Sequence, residues 1–182
     1  DGNEIIQSIA ALTQAGDNAL DGFNHDQALI LYQQALGLLS KLRENLPEQR
    51  KRIYVGLADV HILRGAFQEG IDNCKRALPH THEAAQRAVV RRKLGRVFEK
   101  QAKYDLALKT LDAALKDLET QPDPIEAARI YNAMGAIYSK TGVFTQAIEK
   151  TQLALQLIEK IGASDILAEI DRNLGIYYLR TC

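Results

Sequence analysis

The sequence has few of the residues that build disulfide-bonded, metal-binding or membrane-spanning proteins. It contains no tryptophan, one methionine and two cysteines, Cys74 and Cys182, among 182 residues. Two cysteines so far apart exclude a disulfide framework or a zinc ribbon and fit a reducing compartment, so we expect a cytoplasmic protein. No apolar run approaches the ~20 residues of a membrane span, and the N-terminal segment lacks the basic and apolar pattern of a targeting signal.

The sequence also lacks an excess of charge of either sign. Its 23 lysines and arginines balance 23 aspartates and glutamates, so no global field drives binding to nucleic acid or to a membrane surface. Charge is nevertheless segregated along the chain. Residues 83–103 carry 7 basic and 2 acidic side chains, whereas residues 104–126 carry 2 basic and 6 acidic ones. Any electrostatic role is therefore expected to be local.

An internal repeat of about forty residues runs through the chain. A small residue recurs in a common apolar pattern, with separations of 42, 37, 40 and 40 residues. We call these five positions the frame residues: Gly16, Ala58, Gly95, Gly135 and Gly175. Another small residue follows each of the first four after twelve positions, and an alanine-leucine pair begins seven positions later. Registers that coincide in four repeats indicate one structural unit used several times.

Each repeat has the pattern of two antiparallel helices. Val90, Leu94 and Phe98 fall on one helical face, and a second apolar stripe begins at Tyr104 after a short turn. Small frame residues allow two helix axes to approach closely where they cross. A hairpin with two apolar faces must stack on its neighbours, so the repeat predicts an all-α array of stacked hairpins (an α-solenoid) with about nine helices.

Residues with strong terminal preferences support these helix boundaries. Asp123 is placed to cap a helix that starts at Pro124, with Glu126 where the acid of a capping box belongs. Glycine is favoured where a helix ends in a left-handed residue. The turns between paired helices are expected at Gly22, Gly65 and Gly142, the first of them one residue early in its frame.

The repeat resembles the tetratricopeptide repeat family. The segment "MGAIYSKTGVFTQAIEKTQLAL", Met134 to Leu155, carries that family's small, aromatic and alanine-leucine positions. The resemblance covers Ala10 to Cys182 and implies a right-handed superhelix forming one domain over residues 1–182, with four hairpins and the first helix of a fifth. The spacing exceeds the family's ~34 residues, and is similar to the long repeats of kinesin light chains, LGN-type adaptors and bacterial signalling regulators. Without an initiator methionine, the sequence is expected to be a fragment of a longer chain.

The residue pattern contains no catalytic motif. No histidine pairs with a cysteine or serine at a catalytic spacing, and His61 is expected to be a packed core residue. His80 and His82 lie in a loop with no third ligand beyond Glu83, so we expect no metal site and no cofactor. Cys74 falls on a core stripe and is expected to be a buried, unreactive thiol. Cys182 is expected to be exposed.

The family resemblance implies a peptide-binding groove on the stripe beside the core. Its candidate residues are Arg92, Lys93, Arg96, Lys100, Arg129, Asn132, Ala136, Lys140, Arg172, Asn173 and Arg180. Arginine forks pair with carboxylates and asparagine amides can hold a peptide backbone. The expected partner is therefore a protein or peptide with an acidic segment. The alternative is a solvated charged face without a ligand.

These observations favour a non-catalytic protein-interaction scaffold, with no nucleic acid or membrane partner. The alternative function is a sensor or coupling domain of a larger signalling or transcription-regulatory protein, such as the bacterial regulators named above. Binding to a phosphate backbone would be steeply salt-dependent, but no aromatic residues interleave with Arg92 and Arg96 on their stripe, which disfavours it.

The last helix is expected to leave apolar surface uncovered. Ile170, Leu174, Tyr177 and Tyr178 fall on the face that a second helix would cover in a complete repeat. The fourth hairpin alone is expected to cover them in part. Exposed apolar surface of this kind predicts weak end-to-end self-association.

Overall fold

The chain is described by a computed structural model that covers residues 2–42 and 44–180, apart from the side chains of residues 164 and 165. The α-helices in these residues are α1 (Gly2–Asp21), α2 (His25–Leu39), α3 (Pro47–Leu63), α4 (Phe67–Ala77), α5 (Ala84–Lys100), α6 (Tyr104–Thr120), α7 (Pro124–Lys140), α8 (Phe144–Glu159) and α9 (Ser164–Leu179). A short 3-10 helix, Leu78–His80, follows α4. The described residues contain no strand, so the prediction of an all-α fold with nine helices is confirmed.

The chain divides into two compact units, Asp1–His82 and Glu83–Cys182. In the first unit α1 packs on α2 and α3 packs on α4, with further contacts from α3 to α1 and α2. In the second unit α5 pairs with α6 and α7 with α8, while α9 packs on α7 and α8. The odd-numbered helices, α5, α7 and α9 in the second unit, are the first helices of their repeats. Each unit is therefore built from the predicted hairpins.

All four hairpin turns use the same backbone geometry. The residue seven positions after the frame residue has a left-handed backbone, with φ between 57° and 79°. These residues are Phe23, Gly65, Ala102 and Gly142. In each turn the following amide donates to the carbonyl five residues earlier, as Lys103 does to Phe98 at 2.9 Å, which closes the end of the first helix. Gly22 lies in the first turn, as predicted, and because it stands one residue early in its frame, the next residue, Phe23, takes the left-handed conformation.

The frame residues lie where paired helices cross, as predicted for the first four repeats. A Cβ atom added to Gly95 would lie 2.9 Å from Cδ2 of Leu111, and one added to Gly135 would collide with Oγ1 of Thr151. The fifth frame residue departs from this pattern. Gly175 is exposed, and an added Cβ would meet no atom within 4 Å.

One face of α9 is buried, which corrects the prediction of partial exposure for three of its four residues, whereas the fourth, Tyr178, is exposed as predicted. Ile170, Leu174 and Tyr177 are buried, and the first two belong to a core that includes Ile158 of α8. The first helix of a repeat packs on the preceding hairpin through one apolar stripe. In α9 these three side chains all lie on that stripe, so α7 and α8 bury them without a further helix. Besides Tyr178, the exposed large apolar residues of α9 are Ile176 and Leu179.

Other local predictions can be compared directly with the structure. Asp123 caps α7 by accepting a hydrogen bond from the Glu126 amide at 3.0 Å, as predicted. Cys74 is buried, as predicted, and Cys182 lies outside the described residues. His61 is only half-buried, and desolvation lowers its pKa. In the described part of the chain, no helix combines the length and apolar character that crossing a membrane requires.

Candidate partner-binding cleft

A cleft of about 170 Å³ lies among α5, α7 and α9, the first helices of the second unit. Its lining residues are Arg92, Arg96, Glu99, Arg129, Asn132, Ala133, Ala136, Ile166, Glu169 and Asn173. Small side chains at Ala133 and Ala136 of α7 leave this space between their longer neighbours. The cleft brings together six of the predicted groove residues. The other five, Lys93, Lys100, Lys140, Arg172 and Arg180, are not among its lining residues.

Arg92 is already engaged by a carboxylate of the same unit. Its Nε donates to Oε1 of Glu126 at 2.6 Å, and the two side chains are 14% and 2% exposed. Glu126 lies in the first turn of α7, where the helix dipole favours a negative charge. Its carboxylate therefore meets Arg92 on α5. Arg92 lines the cleft, but its guanidinium is already paired with Glu126.

A second ion pair connects α5 to α7. Nζ of Lys140 lies 2.8 Å from Oε1 of Glu99, and the side chain of Glu99 is largely buried. Tyr177 of α9 is buried nearby. Burial raises the pKa of Tyr177, and the charge of Glu99 adds to that effect. The phenol is therefore neutral at physiological pH, and Glu99 is compensated by Lys140.

An amide chain connects α7 to α9 across the cleft. Asn173 donates to Oδ1 of Asn132 at 2.9 Å, and Asn132 donates to Oε1 of Glu169 at 3.1 Å. Asn132 is only 6% exposed, so its amide mainly positions its neighbours. The sequence prediction assigned both asparagines the task of holding a partner backbone. In the structure these hydrogen bonds order the cleft wall and fix one oxygen of Glu169.

Three charged groups of the cleft remain open to solvent. Arg96 is exposed, and no ion pair or hydrogen bond joins it to any side chain or backbone group that the structure describes, a set that leaves out the side chains of residues 164 and 165. Arg129 is exposed, with Nη1 3.9 Å from Oε2 of the buried Glu126. Glu169 is exposed and uses one oxygen to accept from Asn132. The accessible surface therefore presents two guanidinium groups and one carboxylate.

Basic residues outside the cleft are also partly compensated. Nε of Arg87 lies 3.2 Å from Oδ1 of the buried Asp117, which also pairs with Arg91. Both arginines come from the basic segment 83–103. The guanidinium of Arg180 lies 6.0 Å from the centre of the Phe144 ring. The local positive field expected from the sequence is reduced by these contacts.

Sequence reasoning identified the arginine side of the cleft and missed the residues opposite it. Glu169 and Ile166 were not predicted, although both lie on α9 and face the same cleft as Arg129. The signal for Glu169 was positional, because it stands six residues before its frame residue, as Arg129 does in the preceding repeat. The pairing of Glu126 with Arg92 was not predicted, because Glu126 was already interpreted from the sequence as the acid of a helix-capping motif.

Solved structures of helical repeat proteins are similar to this chain over nearly its whole length. BtubC (BKLC) from P. vanneervenii is 19% identical with a TM-score of 0.79, and the match covers 97% of this chain and 84% of BtubC. The apo form of RapI is 16% identical with a TM-score of 0.85, covering 95% of this chain and 64% of RapI. The pilF protein of Pseudomonas aeruginosa is 19% identical with a TM-score of 0.68, covering 97% of this chain and 76% of pilF.

The similarity is structural. No protein-family model and no curated protein matches the sequence. The solved structures are tetratricopeptide-type helical repeat proteins. The chain therefore has a tetratricopeptide-like fold.

Proposed function

We propose that the chain is a non-catalytic scaffold that binds an acidic segment of a partner protein in the cleft among α5, α7 and α9. The observation that carries the proposal is the pair of exposed guanidinium groups, Arg96 and Arg129, on neighbouring helices of one cleft. Guanidinium groups bind carboxylates in a bidentate geometry. Ala133 and Ala136 form a floor without bulky side chains, so a partner side chain has room to approach.

The size of the cleft favours a segment over a small molecule. Its volume of about 170 Å³ is below the ~300–1,000 Å³ of typical small-molecule sites. One or two side chains of a longer segment fit such a space while the rest of the segment lies across the helices. We further propose a protein of the long-repeat type, which is supported by the near-forty-residue frame spacing and by first helices of 17 residues at α5 and α7. We also propose a cytoplasmic location, which is supported by the small number and wide spacing of the cysteines.

Selection of random peptides displayed on phage tests the proposal, because it requires no choice of partner in advance. Peptides selected on the wild-type chain are expected to be enriched in aspartate and glutamate. Binding of these peptides should be lost when Arg96→Glu and Arg129→Glu are combined, because both accessible guanidinium groups of the cleft are reversed. Fluorescence anisotropy of the labelled peptides measures the loss.

A matched variant separates the cleft from general electrostatics. Lys103→Glu combined with Arg172→Glu makes the same change of net charge, and neither residue lines the cleft. This control should bind the selected peptides as the wild type does. Equal loss in both double variants, or selected peptides without acidic residues, would contradict the proposal. Arg92 is left intact because its reversal would place a second carboxylate against Glu126.

A further inference from the structure

We infer that the bound segment carries a basic side chain beside its acidic one, and that Glu169 recognises the basic group. The inference rests on the proposed function and specifies the chemistry of its partner. It begins from the charges that remain accessible in the cleft, which are of both signs. Arg96 and Arg129 lie on α5 and α7, whereas Glu169 lies on α9.

Internal pairing decides which charges a partner can reach. Glu126 holds Arg92 at 2.6 Å, and Lys140 holds Glu99 at 2.8 Å. Both pairs contain a strongly buried carboxylate, so exchange with a partner would leave a desolvated charge behind. These pairs therefore remain intact, and neither supplies a free cation or anion. Glu169 is the accessible carboxylate among the lining residues.

Glu169 is held in a defined position rather than moving freely. Its Oε1 accepts from Asn132, which is almost completely buried and accepts in turn from Asn173. Two linked amides thus fix one carboxylate oxygen against the cleft wall. The residues that the structure describes place no hydrogen-bond partner on the other oxygen. A carboxylate ordered in this way is prepared to receive an ammonium or guanidinium group.

Charge complementarity then selects the segment. A segment with only acidic side chains satisfies Arg96 and Arg129 but brings further carboxylates towards Glu169, and like charges facing each other across an interface are costly. A segment with one acidic and one basic side chain satisfies both sides of the cleft. The cleft has room for about two side chains, so the two charges belong to residues close together in the partner sequence.

Titration with blocked synthetic peptides tests the inference on the full chain. The peptides have a glycine-serine background and carry one glutamate, two glutamates, or one glutamate and one lysine separated by one to three residues. Amide NMR spectra detect millimolar binding and locate it. We expect the best mixed-charge peptide to bind about fivefold more tightly than the two-glutamate peptide, because only the mixed peptide meets complementary charge on both sides of the cleft.

Replacing Glu169 identifies the group that recognises lysine. Glu169→Gln keeps an oxygen that accepts from Asn132 but removes the charge, so the mixed peptide should fall to the affinity of the single-glutamate peptide. Asp171→Asn is the control, because Asp171 is an exposed acid of α9 outside the cleft. This variant should retain the preference for the mixed peptide.

Each remaining outcome gives a distinct answer. If the two-glutamate peptide binds as tightly as the mixed peptide, or if Glu169→Gln leaves the preference unchanged, the inference is wrong while the proposed acidic-segment binding stands. If no peptide shifts the amides of α5, α7 and α9 at millimolar concentration, the proposed function fails and the inference fails with it.

Discussion

The two units place different charges at corresponding positions of their first helices. In the first unit Asp17 of α1 and Arg52 of α3 form an ion pair, with Nε 2.8 Å from Oδ2. The residues at the same offsets from their frame residues in the second unit are Arg96 of α5 and Arg129 of α7. Two cations cannot pair, so both remain available and line the cleft. One difference, an aspartate at position 17 and an arginine at position 96, thus decides whether the arginine on the next first helix is paired within its unit or remains exposed.

The helix crossings of the two units differ as well. In the first unit the residue sixteen positions after the frame residue is Tyr32, whose hydroxyl donates to Oδ1 of Asp17 at 2.5 Å. The corresponding residue of α8 is Thr151, whose hydroxyl is buried without a partner in the described structure. In the first unit Tyr32 therefore connects the buried helix crossing to the surface ion pair of Asp17. In the second unit Thr151 makes no such connection to Arg96.

The largest expected effect tests whether the second unit depends on its buried ion pair. Glu126→Gln removes the charge that compensates Arg92. Breaking a fully buried pair costs ~3–5 kcal/mol, and since Arg92 is 14% exposed we expect about 2–3 kcal/mol of lost stability. Urea unfolding followed by far-UV circular dichroism measures the change. The control, Glu119→Gln on the exposed face of α6, should leave the midpoint unchanged. Equal midpoints for both variants would show that the pair contributes little.

The next effect compares a crowded frame residue with an open one. Gly135→Ala forces a methyl group against Thr151 and the Ala147 carbonyl, so we expect a loss of about 1–3 kcal/mol from overpacking. Gly175→Ala meets no atom within 4 Å, and the higher helix propensity of alanine should stabilise the chain by about 0.5–1 kcal/mol. Opposite shifts of the thermal midpoint are expected. Shifts of the same sign would contradict the assigned packing.

A smaller effect tests the connection between core and surface in the first unit. Burial raises the pKa of Tyr32, and its hydrogen bond to Asp17 adds to this shift. Tyr32→Phe should cost about 1 kcal/mol at neutral pH through the lost hydrogen bond. In the wild type, stability should fall as pH rises above about 10, because the unfolded tyrosine ionises while the buried phenol stays protonated.

The pH dependence of stability distinguishes the buried phenol group of Tyr32 from the packing of its ring, because only the phenol ionises. Tyr32→Phe should make the loss of stability above that pH less steep, and the burial-raised pKa of Tyr177 should supply part of the remaining dependence. Tyr178→Phe is the control, because its ring is exposed. An unchanged alkaline slope in Tyr32→Phe would argue against a buried phenol.

The smallest expected effect comes from a substitution that gives the second unit the ion-pair arrangement of the first. Arg96→Asp places a carboxylate opposite Arg129, as Asp17 stands opposite Arg52. A new exposed pair should add about 0.5 kcal/mol at low salt, and the gain should fade as salt is added. Arg96→Gln removes the same cation without supplying a partner and should show no salt-dependent gain. Thermal midpoints at two salt concentrations make the comparison, and identical behaviour of the two variants would contradict it.

The hairpins could be predicted from the sequence because they depend on local patterns. Apolar periodicity indicated the buried stripes, small residues marked the crossings, and Asp123 marked the start of α7. The left-handed turn residues were less predictable, since Phe23 and Ala102 adopt a conformation that usually selects glycine. In those turns the geometry required by the hairpin outweighs the preference of the residue.

The charge partners were not predictable because they depend on contacts between helices of different repeats. Arg92 and Glu126 are far apart in sequence, and frame spacings that vary from 37 to 42 residues do not define which side chains meet. The sequence therefore predicted a basic wall. The structure places Glu126 and Glu169 against that wall. Stripe assignment identifies residues on one face, but it does not determine which of them neutralise each other.

The common turn geometry has a consequence for building new arrays. Every first helix of a hairpin ends with a left-handed residue at the same frame position, followed by the same type of hydrogen bond. Gly65 and Gly142 are therefore structurally equivalent positions at which two chains could be joined. Chimeras joined at these positions would exchange a second helix without redesigning a loop. The second helix α8 is thus a transferable element, and the charged cleft residues of the first helix α7 would stay with the original chain.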